Sequence, residues 1–386
     1  MRIERDQGVE PRLRAGELRI QRRNVFVLGL ATGAGLILNS RHFVSAQTTV
    51  ADPEPDPEPE EDEASATTTV GTPAAGQGTL TIYSGQHPEF TKTIAAAFAD
   101  ATGIATQIRT AEDPELANQL IAEGSSSPAD IFIAANSPGL MRLSEQGLLT
   151  PVPAEILDQV PAQYNGPDDD WVGIAARATV LVYAPSLVAE TALPASLLDL
   201  AAPEWQGKVG IAPAESDFLP VVTAVIELAG ADAARAWAEG LARNATVYLG
   251  NTPILRAVEA GQLATGVINH YYWFRMAAEV GASAMSSKLH YFGHKDPGAL
   301  VNVSGAGVLA SSSQPELARQ FLAFLVSVAG QEALVHSNTF EYPLRSGVAP
   351  APGLVPLSEL DPPDLGPGDL GDNQQAIELL QDVGLL

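Results

Sequence analysis

The chain has 386 residues, no cysteine and a formal net charge of −25. Its length supports two lobes with buried cores, and the lack of cysteine excludes disulfides, thiolate metal sites and iron–sulfur clusters. Residues 79–386 hold 13 bases against 34 acids, a balance that repels phosphate and so excludes nucleic-acid partners.

In chain order, Arg22-Arg23 precedes an apolar stretch from Val25 to Leu38, and Val44-Ser45-Ala46 supplies small residues where a signal peptidase cuts. The stretch is shorter than the roughly 18 to 20 apolar residues of a membrane span, so residues 1–46 read as an export signal or, if uncut, an anchor. The arginine pair fits a twin-arginine signal, with an ordinary export signal as the alternative. Residues 47–78 alternate proline with acid and then turn to Thr, Ala and Gly. Without apolar side chains and with like charges, they read as a disordered linker.

From Thr79 onward strand and helix signals alternate. Strands are predicted at 80–83, 105–110, 129–134, 173–184, 208–213, 246–249, 264–269 and 288–292. Helices are predicted from Pro88 to Gly103 and at 113–123, 138–147, 218–229, 232–243, 253–260, 271–280 and 315–336. Such alternation implies α/β lobes with largely parallel sheets and a binding crevice at the carboxyl ends of strands. No internal repeat is found.

Asn269-His270-Tyr271-Tyr272-Trp273-Phe274 and His87, in Ser84-Gly85-Gln86-His87-Pro88, hold the residues with the most specific chemistry. Two phenols and an imidazole form an O/O/N donor set that suits a hard trivalent cation such as Fe³⁺. Taken by themselves, the aromatic run also fits a core or cleft wall, and His87 a helix end. Consecutive strand residues point to opposite faces, so Tyr271 and Tyr272 can converge on one ion only if the chain leaves its strand there. The switch to a helical pattern at Tyr271 provides for that.

From Leu80 onward the sequence resembles the periplasmic ferric-ion-binding proteins of bacterial ABC transporters. The matching stretches are Thr81-Ile82-Tyr83-Ser84-Gly85-Gln86-His87, Glu123-Gly124-Ser125-Ser126-Ser127-Pro128-Ala129-Asp130, Asp170-Trp171-Val172, Asn269-His270-Tyr271-Tyr272-Trp273 and His294-Lys295-Asp296-Pro297-Gly298-Ala299-Leu300. The resemblance implies an α/β, two-lobed periplasmic-binding-protein (Venus flytrap) fold with two chain crossovers, near Arg177 to Thr179 and near Val301 to Val303. Lobe 1 would comprise 79–178 and 302–352, and lobe 2 179–301 and 353–386. It implies Fe³⁺ held by His87, Tyr271 and Tyr272 in the cleft, and a monomeric receptor, periplasmic or tethered to the outer face of the membrane, that delivers the ion to a permease.

The family's further carboxylate ligand is replaced here by Ala135, followed by Asn136. The resemblance also implies a synergistic anion such as carbonate or phosphate, seated by Asn251, Asn269 and the loop holding Ser216, with Arg177 balancing phenolate or anion charge or else forming a surface ion pair. That loop reads Ala214-Glu215-Ser216-Asp217. Its two acids would repel an anion, so Glu215 or Asp217 is expected either to supply an oxygen ligand or to face solvent at a helix N-terminus. Alternative readings are a receptor for another metal or a small organic ion and, in another class, an exported hydrolase or sensor ectodomain. The chain has no G-x-x-x-x-G-K-[ST], H-E-x-x-H or G-x-S-x-G motif, which weighs against an enzyme.

Overall fold

The computed structural model describes residues 66–72 and 78–386. The expected export signal and residues 47–65 and 73–77 of the expected linker lie outside the described residues. The strands in chain order are β1 (Ala66–Val70), β2 (Thr79–Ser84), β3 (Ala105–Thr110), β4 (Ile131–Ala134), β5 (Val172–Tyr183), β6 (Val209–Ile211), β7 (Ala245–Val247), β8 (Thr265–Asn269), β9 (Lys288–His290), β10 (Val301–Val308) and β11 (Tyr342–Pro343). Among the described residues, no helix is long and apolar enough to cross a membrane.

β2 pairs in parallel with β3 and β4, and β10 lies antiparallel between β4 and β5. On the far side, β8 and β9 pair antiparallel with β5, and β6 pairs in parallel with β8 and β7. All 12 residues of β5 are buried, as befits a strand shared by two lobes. Its pairing with β10 ends at Ala178, opposite Val301, and its pairing with β8 begins at Thr179, opposite Asn269. The partner of β5 therefore changes from β10 to β8 between Ala178 and Thr179.

One apolar cluster joins β2, β4 and the first half of β5 to the helices Pro88–Thr102 and Pro315–Leu325, with Phe98 edge-on to Phe321 at 5.0 Å and Phe324 at 5.5 Å. Truncating so well-packed a ring costs about 3–5 kcal/mol. Two further clusters flank the second sheet, one around Val209, Ile211, Val222 and Trp237, the other around Val180, Val182, Ile254 and Val258.

Three expectations are corrected. Residues 66–70, placed by composition in a disordered linker, form β1, paired antiparallel along β3. Main-chain pairing on an open sheet edge needs no apolar side chains, and the run Thr67-Thr68-Thr69 has high strand propensity. The tail from 353 does not enter the second core at once: Leu354 and Leu360 pack in the first cluster, and only Leu370, Ala376, Leu379 and Leu380 join the second. The expected helix 315–336 is two, Pro315–Leu325 and Val328–Val335. Ser327 caps the second by accepting from Gly330 N, and a Cβ on Gly330 would lie 2.0 Å from Phe324 O, so backbone passes too close there for one continuous rod.

Candidate metal centre

His87 stands where β2 hands over to the helix Pro88–Thr102. Proline at the first helical position fixes the helix start, and His87 is its N-cap, with φ −45° and ψ 131°. The turn is pinned from below by buried Asp113, whose Oδ1 and Oδ2 accept from Ala135 N (3.0 Å) and Asn136 N (2.8 Å) at the end of β4. Gly85 lies so close that a Cβ would meet Asp113 Oδ1 at 1.8 Å. Burial pushes the Asp113 carboxyl up to about 7, against the two backbone hydrogen bonds.

The tyrosines come from the opposite lobe. β8 ends at Asn269 and the helix His270–Val280 begins at the next residue, so Tyr271 and Tyr272 are separated by about 100° of helical rotation rather than by the strand's alternation. Their rings stack at 4.4 Å and 28°, and His87 meets Tyr271 edge-on at 5.3 Å. The three expected donors are thus brought together. His87 Nε2 is buried and has no hydrogen-bond partner among the described residues.

The preceding residue, His270, is fully buried and packs edge-on against Tyr271 at 6.0 Å, with both ring nitrogens bonded to backbone. Its Nδ1 accepts from Ala178 N at 3.1 Å and its Nε2 donates to Phe340 O at 2.8 Å. It is a structural staple between β5 and the second lobe's helix, held neutral as burial lowers it to about 3.

Arg177 at the crossover is 2% exposed, which rules out the surface ion pair. Its Nη1 lies 3.5 Å from Asp217 Oδ1, its Nη2 lies 3.3 Å from Glu341 Oε1 and also donates to Ala135 O. Burial works against its charge, and Glu341 and then Asp217 hold the proton on more firmly than usual. Ala135 therefore presents its carbonyl to a guanidinium. Asp217 does not face solvent: its side chain is 9% exposed and its Oδ2 accepts from Tyr271 Oη at 3.0 Å. Glu215 points toward Gly250, where an added Cβ would lie 2.9 Å from its Oε1.

The expected anion seat divides. Ser216 Oγ accepts from Asn136 Nδ2 across the cleft at 3.3 Å, and Asn136 Oδ1 in turn accepts from Asn302 at 2.7 Å. Asn136 is thus committed to bridging the lobes. Asn251 and Asn269, both 5% exposed, line a cavity of about 10 Å³ together with Asp217, Thr179 and Phe218. Asn251 Nδ2 is buried without a partner among the described residues.

Sequence reading missed Glu341 and Gln86. Buried Glu341 accepts from Gln86 Nε2 at 3.1 Å, and Gln86 Oε1 accepts from His87 N at 2.7 Å. One chain of polar contacts thus runs from His87 through Gln86, Glu341, Arg177 and Asp217 to Tyr271.

Electrostatically the site favours neutral donors until a cation arrives. Burial, then Arg177 and Arg275, lowers His87 to about 4, leaving the imidazole uncharged and its lone pair available at neutral pH. Burial and then Asp217 hold both phenols well above their usual range, so each keeps its proton. A bound cation reverses that balance by stabilising phenolate. Among the described residues no three His, Asp or Glu side chains converge on a metal position.

A family model described as bacterial extracellular solute-binding protein matches residues 126–359. The Fe(3+)-binding periplasmic protein of Serratia marcescens is 43% identical over 313 residues, covering 81% of this chain and 92% of that protein. The crystal structure of iron-bound HitA from Pseudomonas aeruginosa superposes with a TM-score of 0.76 at 46% identity, covering 79% of this chain and 99% of that one. A Trichodesmium structure in complex with iron and citrate superposes at 0.72 with 28% identity, covering 80% and 99%. With that family match and identity over four fifths of its length, on a two-lobed fold, the chain belongs to the bacterial extracellular solute-binding proteins.

Proposed function

We propose that this protein is an exported receptor that captures ferric ion between its lobes, with His87 Nε2, Tyr271 Oη and Tyr272 Oη as donors, and delivers it to an ABC permease. The observation that carries the reading is the contact of these three rings across the cleft, with a buried imidazole nitrogen that has no partner among the described residues. Two phenolates offset two charges of Fe³⁺, and hard oxygen donors favour it over softer ions. The names of the Serratia and Pseudomonas relatives point the same way.

Binding would favour the closed arrangement, because only there can donors from both lobes reach one ion. The role is binding rather than catalysis. Residues 1–46 would direct export by the twin-arginine route, and an uncut segment would tether a monomeric receptor to the membrane's outer face.

Visible absorbance tests this. Phenolate-to-iron charge transfer should colour the ferric protein, and the band should vanish in a Tyr271→Phe, Tyr272→Phe variant that still folds. A colourless wild type at saturating iron, or a band that survives the double substitution, would contradict the reading.

A further inference from the structure

We propose that Asp217 is a built-in replacement for an exogenous anion: its carboxylate coordinates Fe³⁺ beside Tyr271 and Tyr272, and the protein loads iron without carbonate, phosphate or citrate. This deepens the ferric reading above and rests on it.

Three observations carry it. The first is geometry. In an octahedral site with metal–oxygen bonds of about 2.0–2.1 Å, adjacent ligand oxygens lie about 2.9 Å apart. Asp217 Oδ2 is 3.0 Å from Tyr271 Oη, held there by a hydrogen bond, a spacing that two adjacent ligands of one ion could keep. A ferric ion bound to Tyr271 would displace the phenol proton to solvent, and Oδ2, having lost its hydrogen-bond donor, would face the same ion.

The second is charge. Two phenolates and the Asp217 carboxylate together match the charge of Fe³⁺, while Glu341, 3.3 Å from the guanidinium, offsets Arg177. These five groups and the ion then sum to zero, with Arg275 and Glu215 as further charges around them. An added oxyanion would leave excess negative charge in a largely buried place, which is costly.

The third is space. The half-open cavity beside Asn251 and Asn269 amounts to about 10 Å³, room for roughly one water molecule, so a multi-oxygen anion would not fit within it without extending into the cleft. Asp217 lines it, and the unpartnered Asn251 Nδ2 is buried there. The carboxylate occupies the side of the cleft that an anion would need, with Arg177 holding Oδ1.

The full chain, freed of iron, is titrated with ferric ion formed in place from ferrous perchlorate under oxygen scrubbed of carbon dioxide, in a buffer free of phosphate, bicarbonate and citrate. The wild type should develop its full charge-transfer band under these conditions. Asp217→Asn should bind iron roughly 10- to 100-fold more weakly, recover when millimolar phosphate, bicarbonate or citrate is added, and then show a band maximum that moves with the anion supplied. A wild type that colours only after anion is added overturns the proposal and leaves the ferric reading standing. So does an Asp217→Asn variant that loads as the wild type does without anion. No band in either protein, with or without anion, removes the ferric reading and this proposal together. The wild-type arm needs no substitution, so it decides the matter even if the variant fails to fold.

Discussion

Glu341→Gln tests the buried charge network with little change of shape. Glu341 is 1% exposed and its Oε1 lies 3.3 Å from Arg177 Nη2. At that distance and an effective dielectric constant of 20, the attraction is about 5 kcal/mol before desolvation is counted. Glutamine keeps an acceptor near Arg177, recovering about 1 kcal/mol, but leaves the guanidinium with Asp217 as its one charged partner, at 3.5 Å. Breaking a buried pair on one side usually costs about 3–5 kcal/mol, so with the retained acceptor a loss of about 3 kcal/mol is expected. For a chain of this size that lowers Tm by about 4–5 °C. Thermal unfolding by circular dichroism measures it, with the exposed Glu332→Gln as a control expected within about 0.5 kcal/mol of wild type. Iron affinity should fall as well, because an unbalanced cation then sits beside the donors. A Tm within about 2 °C of wild type would show that Arg177 is not held by Glu341 and would refute the reasoning.

His87→Gln should weaken iron binding roughly 10- to 100-fold in chelator competition while leaving the fold intact; unchanged affinity would remove His87 from the donor set. Since burial and Asp217 keep both phenols protonated in the iron-free protein, and His87 is already neutral above about 4, capture between pH 7 and 5 should release about two protons. Affinity then falls about 100-fold per unit of acidification, with His87 adding a third proton as pH drops through about 4; a slope of one proton or fewer would exclude one phenol. Gly85→Ala should destabilise by about 2–4 kcal/mol in thermal unfolding, because its Cβ displaces the Asp113 carboxylate that ties the helix Asp113–Glu123 to the end of β4. An unchanged Tm would contradict that packing.

The grouping of His87, Tyr271 and Tyr272 was legible because each residue sits where one periodicity gives way to another: His87 between strand and Pro88, the tyrosines where Thr265–Asn269 turns to helix. Those switches are local, and local patterns are what a sequence displays. Glu341 and Gln86 were not legible, since each is a single polar residue outside any periodic run and they meet across 255 positions. β10 escaped as well. Its Gly305 and Gly307 depress strand propensity, yet the fold needs them small: a Cβ on Gly305 would lie 2.6 Å from the Trp171 ring. β1 was hidden by composition, because its stability comes from backbone pairing with β3 and not from burial.

An anomalous difference map collected at the iron edge, from crystals of the iron-loaded protein, tests the central claim most directly. The account predicts one strong peak in the cleft, within bonding distance of His87 Nε2 and of both tyrosine oxygens, with an Asp217 oxygen beside it. A peak elsewhere, such as among the exposed acids near Asp361 and Asp364, with none between His87 and the tyrosine pair, would contradict it.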